Sequence, residues 1–278
     1  MEKASLLNRG AVNIMGKVIA VANQKGGVGK TTAAVNLAAC LAILEKKVLL
    51  IDSDPQANAS SGVGVAEDEI EMSLYDCLVN EADPKEAIVA TPTPHLFLLP
   101  SHIDLVGADL ELANVPKREF VMRKIVEQVR DDYDYVFIDC LPSLGLVTVN
   151  ALTAADSVLV PVQCEFFSLE GLSKLQNTIN LVKKGLNPKL EIEGILLSMY
   201  DSRLRLANVV VNEVRSFYKD KVFDTIIHRN SKISEAPNMH QPVVLYDAAS
   251  KGTVNFLNLA QEFLKKNNDS LKARKEVV

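Results

Sequence analysis

The segment Asn23-Gln24-Lys25-Gly26-Gly27-Val28-Gly29-Lys30-Thr31-Thr32 holds the residues whose types and spacing most directly imply chemistry. Glycines without side chains let successive backbone N–H groups curl around phosphates, and a helix starting at the end of the loop adds its partial positive charge. Lys30 can then reach the β and γ phosphates of a nucleoside triphosphate, and the Thr31 hydroxyl suits Mg²⁺. The expected nucleotide cradle is Lys25, Gly26, Gly27, Val28, Gly29, Lys30, Thr31 and Thr32. Two features depart from the usual phosphate loop, G-x-x-x-x-G-K-[ST]: Gln24 stands where the first glycine belongs, and a second cation, Lys25, precedes Lys30 by five positions.

Three acidic residues extend the site. Asp52 and Asp54 close the apolar run Val48–Ile51, and a spacing of two puts both carboxylates on one side of an extended segment. One can order the magnesium shell and the loop while the other holds an attacking water. Tyr135–Ile138 is a second apolar run that ends in an acid, Asp139, whose carboxylate would hold Mg²⁺, through a coordinated water. The expected metal set is Thr31, Asp139 and Asp52.

Such groups need a scaffold that brings several strand ends to one edge. Short apolar runs (Val18–Ala22, Val48–Ile51, Leu96–Leu99, Tyr135–Ile138, Ser157–Val162, Ile195–Met199 and Val222–Ile227) alternate with helical stretches (Thr31–Leu44, Lys117–Arg130, Glu170–Lys184 and Ala207–Tyr218). Strands apolar throughout are buried on both faces, which predicts an α/β fold: a mostly parallel twisted sheet flanked by helices on both sides. Ligands in such folds sit at the C-terminal edge of the strands. Residues 1–15 read as a loose extension in which Met15 offers a second start, 16–264 as one domain, and 265–278 as a polar tail after a last helix around Val254–Leu264.

The chain has 278 residues and a formal net charge of −5, a balance that by itself speaks against nucleic acid. The sum hides an asymmetry: residues 1–200 carry 17 Lys and Arg against 26 Asp and Glu, whereas residues 201–278 carry 13 against 9. A basic C-terminal quarter can hold a phosphate-binding face. The four cysteines, Cys40, Cys77, Cys140 and Cys164, form no metal or redox spacing and read as buried thiols of a cytoplasmic protein. No apolar run is long enough for a bilayer, and no membrane partner is expected.

The run KGGVGKTT resembles the deviant Walker A motif of the ParA/MinD superfamily. Asp52-Ser53-Asp54-Pro55-Gln56 resembles the DxDPQ segment of ParA proteins, and Cys140-Leu141-Pro142-Ser143-Leu144-Gly145 their DCPPS-LG switch, with Leu141 in place of the first proline. Val160–Glu165, Leu169–Leu172, Met199–Arg203 and Arg229–Pro237 extend the resemblance, in order, to the Soj-like branch.

The resemblance implies an ATPase that forms an ATP-dependent homodimer. Lys25 would act in trans on the partner's phosphates and Lys30 in cis, with Asp54 tied to hydrolysis and Asp52 supporting. Asn230 and the backbone of His228, where relatives usually carry proline, would lie beside the adenine. Non-specific double-stranded DNA contacts would fall at Arg203 and Lys232, with Arg205 and Arg229 as neighbours. A ParB/Spo0J-like centromere-binding protein is the implied partner that accelerates hydrolysis, and the implied location is cytoplasmic and nucleoid-associated. A MinD-like membrane-associated regulator is the alternative, but Lys265–Val278 has too few large apolar residues for a lipid face.

Overall fold

The computed structural model of the chain describes residues 15–165 and 168–275. Residues 1–14 of the expected extension and 276–278 of the expected tail lie outside them.

The strands are β1 (Lys17–Val21), β2 (Val48–Asp52), β3 (Val89–Ala90), β4 (Leu96–Leu99), β5 (Tyr135–Asp139), β6 (Ser157–Gln163) and β7 (Glu191–Ser198). The first helices in chain order are α1 (Lys30–Ile43), α2 (Asn58–Gly62), α3 (Leu74–Val79), α4 (Pro84–Ala87), α5 (Ala108–Glu111) and α6 (Val121–Val129). They are followed by α7 (Leu146–Ala154), α8 (Ser168–Gly185), α9 (Arg205–Tyr218), α10 (Ser231–Glu235), α11 (Val243–Tyr246) and α12 (Lys251–Lys275). The sheet runs β3-β4-β2-β5-β1-β6-β7, and every pairing in it is parallel except β3 with β4.

Alternate residues of the central strands feed two separate cores. Val18, Ala20, Leu49, Ile51, Val136 and Ile138 face Met122, Ile125 and Val147 of α6 and α7, with Leu175 and Val210 of α8 and α9 in the same core. Ile19, Val21, Leu50 and Phe137 face Leu37 and Leu41 of α1 and Phe256 and Phe263 of α12. With both faces covered, β2 and β5 are buried along their whole length, which is why they read as unbroken apolar runs. Helix α1 lies under the sheet with most of its surface buried, so it too is apolar almost all round. All four cysteines are buried and unpaired, and burial pushes the Cys40, Cys77 and Cys164 thiols up to about 12.

Three elements differ from the sequence-based expectation. Val222–Ile227 is not a strand: it meets β7 through an isolated bridge at Val222, another at His228 just past its end, and backbone bonds from Phe223 N to Ile195 O at 3.0 Å and Ile227 N to Leu197 O at 2.9 Å, and so covers the outer side of β7. Phe223 takes the space beside Gly194, where any Cβ would collide with its ring. The last helix does not stop near Leu264 but runs to Lys275, so most of the expected polar tail is helical. Finally β3, two residues long and antiparallel, joins the sheet at its far edge without any periodic signal.

Candidate nucleotide site

The sheet register places the predicted groups. Asp139 is aligned with Asp52 on one side and with Val21 on the other, so both acids and the loop leaving β1 meet at one edge. The loop turns through Gly27 at φ 72 and Gly29 at φ 87, a left-handed backbone that favours glycine at both positions. Val28 is buried and its carbonyl accepts a hydrogen bond from Ser198 Oγ at 2.8 Å, which pins the loop to the end of β7. Asn23, 3 % exposed, ties it at the other end, donating to Pro161 O at 2.7 Å and accepting from Lys25 N at 3.1 Å. No side chain caps the N-terminus of α1, and its first turn holds no acid. An anion is the natural partner for those N–H groups.

Lys30 opens α1 only 7 % exposed, and its Nζ donates to Lys25 O at 3.4 Å. Burial pulls the Lys30 ammonium below its ordinary range, opposed by Asp139, Cys140 and Asp54. Lys25 points the other way: its Nζ lies 4.0 Å from Glu165 Oε2 and its side chain is partly exposed.

The carboxylates are unequal. Asp52 is fully buried and spent on its own loop, with Oδ1 accepting from Asp54 N at 3.2 Å and Oδ2 from Ser60 N and Ser60 Oγ at 2.8 Å. Burial pushes its carboxyl up to about 6 despite those bonds. Asp139 is also fully buried, and among the described residues neither of its oxygens has a partner in full hydrogen-bond geometry, although the Thr31 hydroxyl lies close enough to lower its carboxyl. Burial and then the Asp52 charge hold its carboxyl well above the usual range, with the neighbouring Thr31 and Lys30 acting in the opposite sense. An orphaned, desolvated carboxylate beside a threonine hydroxyl and a phosphate-sized cradle fits a hard divalent cation such as Mg²⁺. Thr31 and Asp139 have the chemistry to hold that cation. Asp52, its oxygens engaged, sits behind them as a prop. Asp54 is half-buried; its Oδ1 accepts from Gln56 N at 3.0 Å, leaving Oδ2 without a partner among the described residues.

Beside Gly29 and Thr32 a cleft of about 90 Å³ is lined by Met199, His228, Arg229 and Asn230 among others. The structure thus brings the expected base-binding pair to the phosphate loop. Asn230 caps α10 through its Oδ1, which accepts from Lys232 N at 2.8 Å. The His228 ring is held by Asn255 Oδ1 at 3.1 Å and packs edge-on against Tyr200, so its side chain is structural as well as cleft-lining.

The four expected DNA contacts are less uniform. Arg203 is exposed but clamped on Asp201 at 2.9 and 2.6 Å, which pulls that carboxyl down to about 2. Lys232 pairs with Glu235 at 2.8 Å. Arg205 and Arg229 are exposed, and neither makes an ion pair among the described residues. Sequence reasoning missed Ser60, Ser198 and Asn23 as supports of the site. The hydroxyls gave no signal, because their partners are 8 and 170 residues away along the chain.

A glycine loop between a buried central strand and a helix, with an acid ending the neighbouring strand, defines a P-loop nucleotide-binding protein. The AAA domain family matches residues 16–192. Over 248 residues the chain is 52 % identical to the sporulation initiation inhibitor protein Soj of Bacillus subtilis, covering 89 % of this chain and 98 % of that protein. It is 50 % identical to the chromosome partitioning protein ParA of Myxococcus xanthus, over 91 % of this chain and 89 % of that one. The chain belongs to the ParA/Soj family of partitioning ATPases.

Solved structures agree on the scaffold. The Mycobacterium smegmatis cobyrinic acid a,c-diamide synthase with bound ADP and magnesium superimposes with a TM-score of 0.80 at 34 % identity, covering 92 % of this chain and 97 % of that one. The Pyrococcus furiosus cell division ATPase MinD gives 0.73 at 28 % identity, covering 90 % and 99 %. One scaffold thus hosts unlike tasks, so function here rests on the partitioning relatives and on the site.

Proposed function

We propose that this partitioning ATPase is a nucleotide-timed switch on DNA: ATP with Mg²⁺ closes two copies face to face, the dimer holds DNA without sequence preference, and hydrolysis releases it. The loop from Lys25 to Thr32 wraps the phosphates, with Lys30 on its own nucleotide. Thr31 and Asp139 hold Mg²⁺, which shields the phosphate charge when bound. Asp52 keeps the β2 loop in place, and the partnerless Asp54 Oδ2 accepts from the attacking water. Asn230 and the His228 backbone border the base.

The observation that carries the dimer is Lys25. Its ammonium stands apart from the cradle that Lys30 occupies, partly exposed and only loosely paired with Glu165, which suits a phosphate bound by a second copy. DNA retention follows from the same pairing. A few phosphate contacts per monomer bind weakly, each adding about 0.9 to the log–log salt slope, and a dimer doubles them on one face. Arg205 and Arg229 offer unpaired charge, whereas Arg203 and Lys232 must first leave their carboxylates. Sequence choice and acceleration of hydrolysis would then fall to a ParB-like centromere-binding partner, and the protein would work in the cytoplasm on the nucleoid. Among the described residues no helix is long and apolar enough to cross a membrane.

The test is a gel shift on unrelated duplex DNA without nucleotide, with ADP and with ATP, across a salt series. Retention with ATP alone, at about twice the salt slope of the other states, is expected. Arg203→Glu with Arg205→Glu should abolish it while ATP-driven dimerisation survives. Equal affinity in all three nucleotide states would refute the switch.

A further inference from the structure

The segment 140–145 connects Asp139, the acid assigned above to the cation, to helix α7. Its near end is fixed: Cys140 N donates to Val21 O at 3.2 Å, and Ser53 Oγ donates to Asp139 O at 2.6 Å. Its middle, Pro142 to Leu144, is exposed. What holds the far end is unusual. Helix α7 has no cap of its own, because Gly145 supplies no side chain. The cap comes from another element: Asp109 on α5 accepts hydrogen bonds from Leu146 N at 3.2 Å through Oδ2 and from Val147 N at 3.0 Å through Oδ1. A carboxylate across two N–H groups at a helix N-terminus is a charge-assisted contact aligned with the helix dipole.

Both partners are built for this approach. Leu105, Ala108 and Leu112 are buried on either side of Asp109, so the short helix presents its carboxylate from a fixed base. Gly145 has φ −66 and ψ −179, which any residue adopts, so backbone freedom does not explain the glycine. A Cβ there would collide with Asp109 Oδ2, and its three nearest atoms all belong to Asp109. Asp109 Oδ2 occupies the space that a side chain at position 145 would need.

We infer that Asp109 is a positioning residue for ATP hydrolysis: by latching the N-terminus of α7 it fixes the far end of segment 140–145, and so the path of the exposed stretch Pro142 to Leu144 between that latch and the fixed Asp139. The inference rests on the nucleotide-site reading given above. It predicts an effect on turnover rather than on nucleotide affinity, because the phosphate cradle is anchored separately through Asn23 and Ser198.

The experiment measures kcat and KM for ATP with Mg²⁺, together with thermal unfolding, on the full chain and on Asp109→Ala, Asp109→Asn, Asp109→Glu, Gly145→Ala and the Asp109→Ala/Gly145→Ala pair. Asp109→Ala should lower kcat about tenfold while KM stays within about twofold, the signature of a contact that matters in the transition state. Asp109→Glu, still able to reach both N–H groups, should restore most of the rate. Gly145→Ala should slow the enzyme when Asp109 is present and have no effect when it is absent. The inference is overturned if Asp109→Ala keeps its turnover and loses only thermal stability, if KM rises in step with the loss of kcat, or if Gly145→Ala acts equally on both backgrounds. Should Asp109→Ala fail to fold, Asp109→Asn, which retains one acceptor, takes its place in the same comparison. If the unaltered chain hydrolyses no ATP, the site reading falls on its own. The latch is then judged by amide exchange at Leu146 and Val147, whose protection must drop in Asp109→Ala or the latch does not exist.

Discussion

Asp139 and Glu193 are both carboxylates sunk into the same sheet, one at each end of its strands, and their surroundings are opposite. Asp139 ends β5 with neither oxygen in full hydrogen-bond geometry with a described residue, though the Thr31 hydroxyl stands near, and its carboxyl is held well above the usual range by burial and by Asp52. Glu193, in β7 at the other end and with its side chain 5 % exposed, accepts from Lys17 Nζ at 2.5 Å, Ser157 Oγ at 2.6 Å and Asn267 Nδ2 at 2.9 Å. Burial works to raise the Glu193 carboxyl too, but the Lys17 charge and these bonds outweigh it and hold it below the ordinary range. Close by, Arg130 bridges Gly16 O and Asp156 at 2.7 Å each. The N-terminal edge is electrostatically complete as folded. At the C-terminal edge the Asp139 carboxyl is desolvated without such compensation, the pattern that sets a candidate binding site apart from a structural network of the same residue types.

The comparison can be broken most forcefully at Asp139. Asp139→Asn should cut Mg²⁺-dependent ATP hydrolysis at least about a hundredfold, because it removes the buried anion facing the metal. Thermal unfolding of the nucleotide-free variant should show no loss of stability, since an uncompensated buried charge has been removed. A marked loss would mean that Asp139 is structurally paired after all.

Glu193→Gln should do the reverse, lowering stability by about 3 kcal/mol in denaturant titration while turnover per folded molecule is unchanged. The Lys17→Met variant, which strands the buried Glu193 carboxylate with its Ser157 and Asn267 bonds, should cost a similar amount.

The two ends should also part company with pH. A raised carboxyl binds its proton more tightly in the folded than in the unfolded chain, so Asp52, at about 6, and Asp139 favour the nucleotide-free fold as pH falls from about 7 toward 5. Glu193 has the opposite sign: its contribution is complete above the ordinary carboxylate value of about 4.3 and is lost as pH drops through its lowered one. Melting curves should therefore show the unaltered chain gaining on Asp139→Asn between pH 7 and 5. Its margin over Glu193→Gln should hold there and collapse only in stronger acid. Saturating ATP with Mg²⁺ should erase the first trend and leave the second.

What the sequence disclosed follows the same divide. The phosphate loop was legible because its chemistry is local: glycines, Lys30 and Thr31 are consecutive and their roles follow from residue type. The acids ending β2 and β5 were legible because unbroken apolar runs lead to them. That Asp52 is saturated while Asp139 is orphaned was not, since Ser60 reaches Asp52 from a separate short helix. The Glu193 network joins Lys17 and Asn267, 176 and 74 residues away, and leaves no periodic trace. Val222–Ile227 has the composition of a strand, but along β7 it makes scattered backbone bonds, such as Phe223 N to Ile195 O, rather than a continuous ladder, an outcome composition alone does not separate from full pairing.

That covering has a consequence for a protein proposed to crowd along DNA. An open strand edge is a template on which chains zip together irreversibly. Here one rim of the sheet ends in the two residues of β3, and beyond β7 the other is overlaid by Phe223 and its neighbours. Among the described residues, copies packed side by side would find little ladder to extend, which guards against irreversible pairing through the sheet edges.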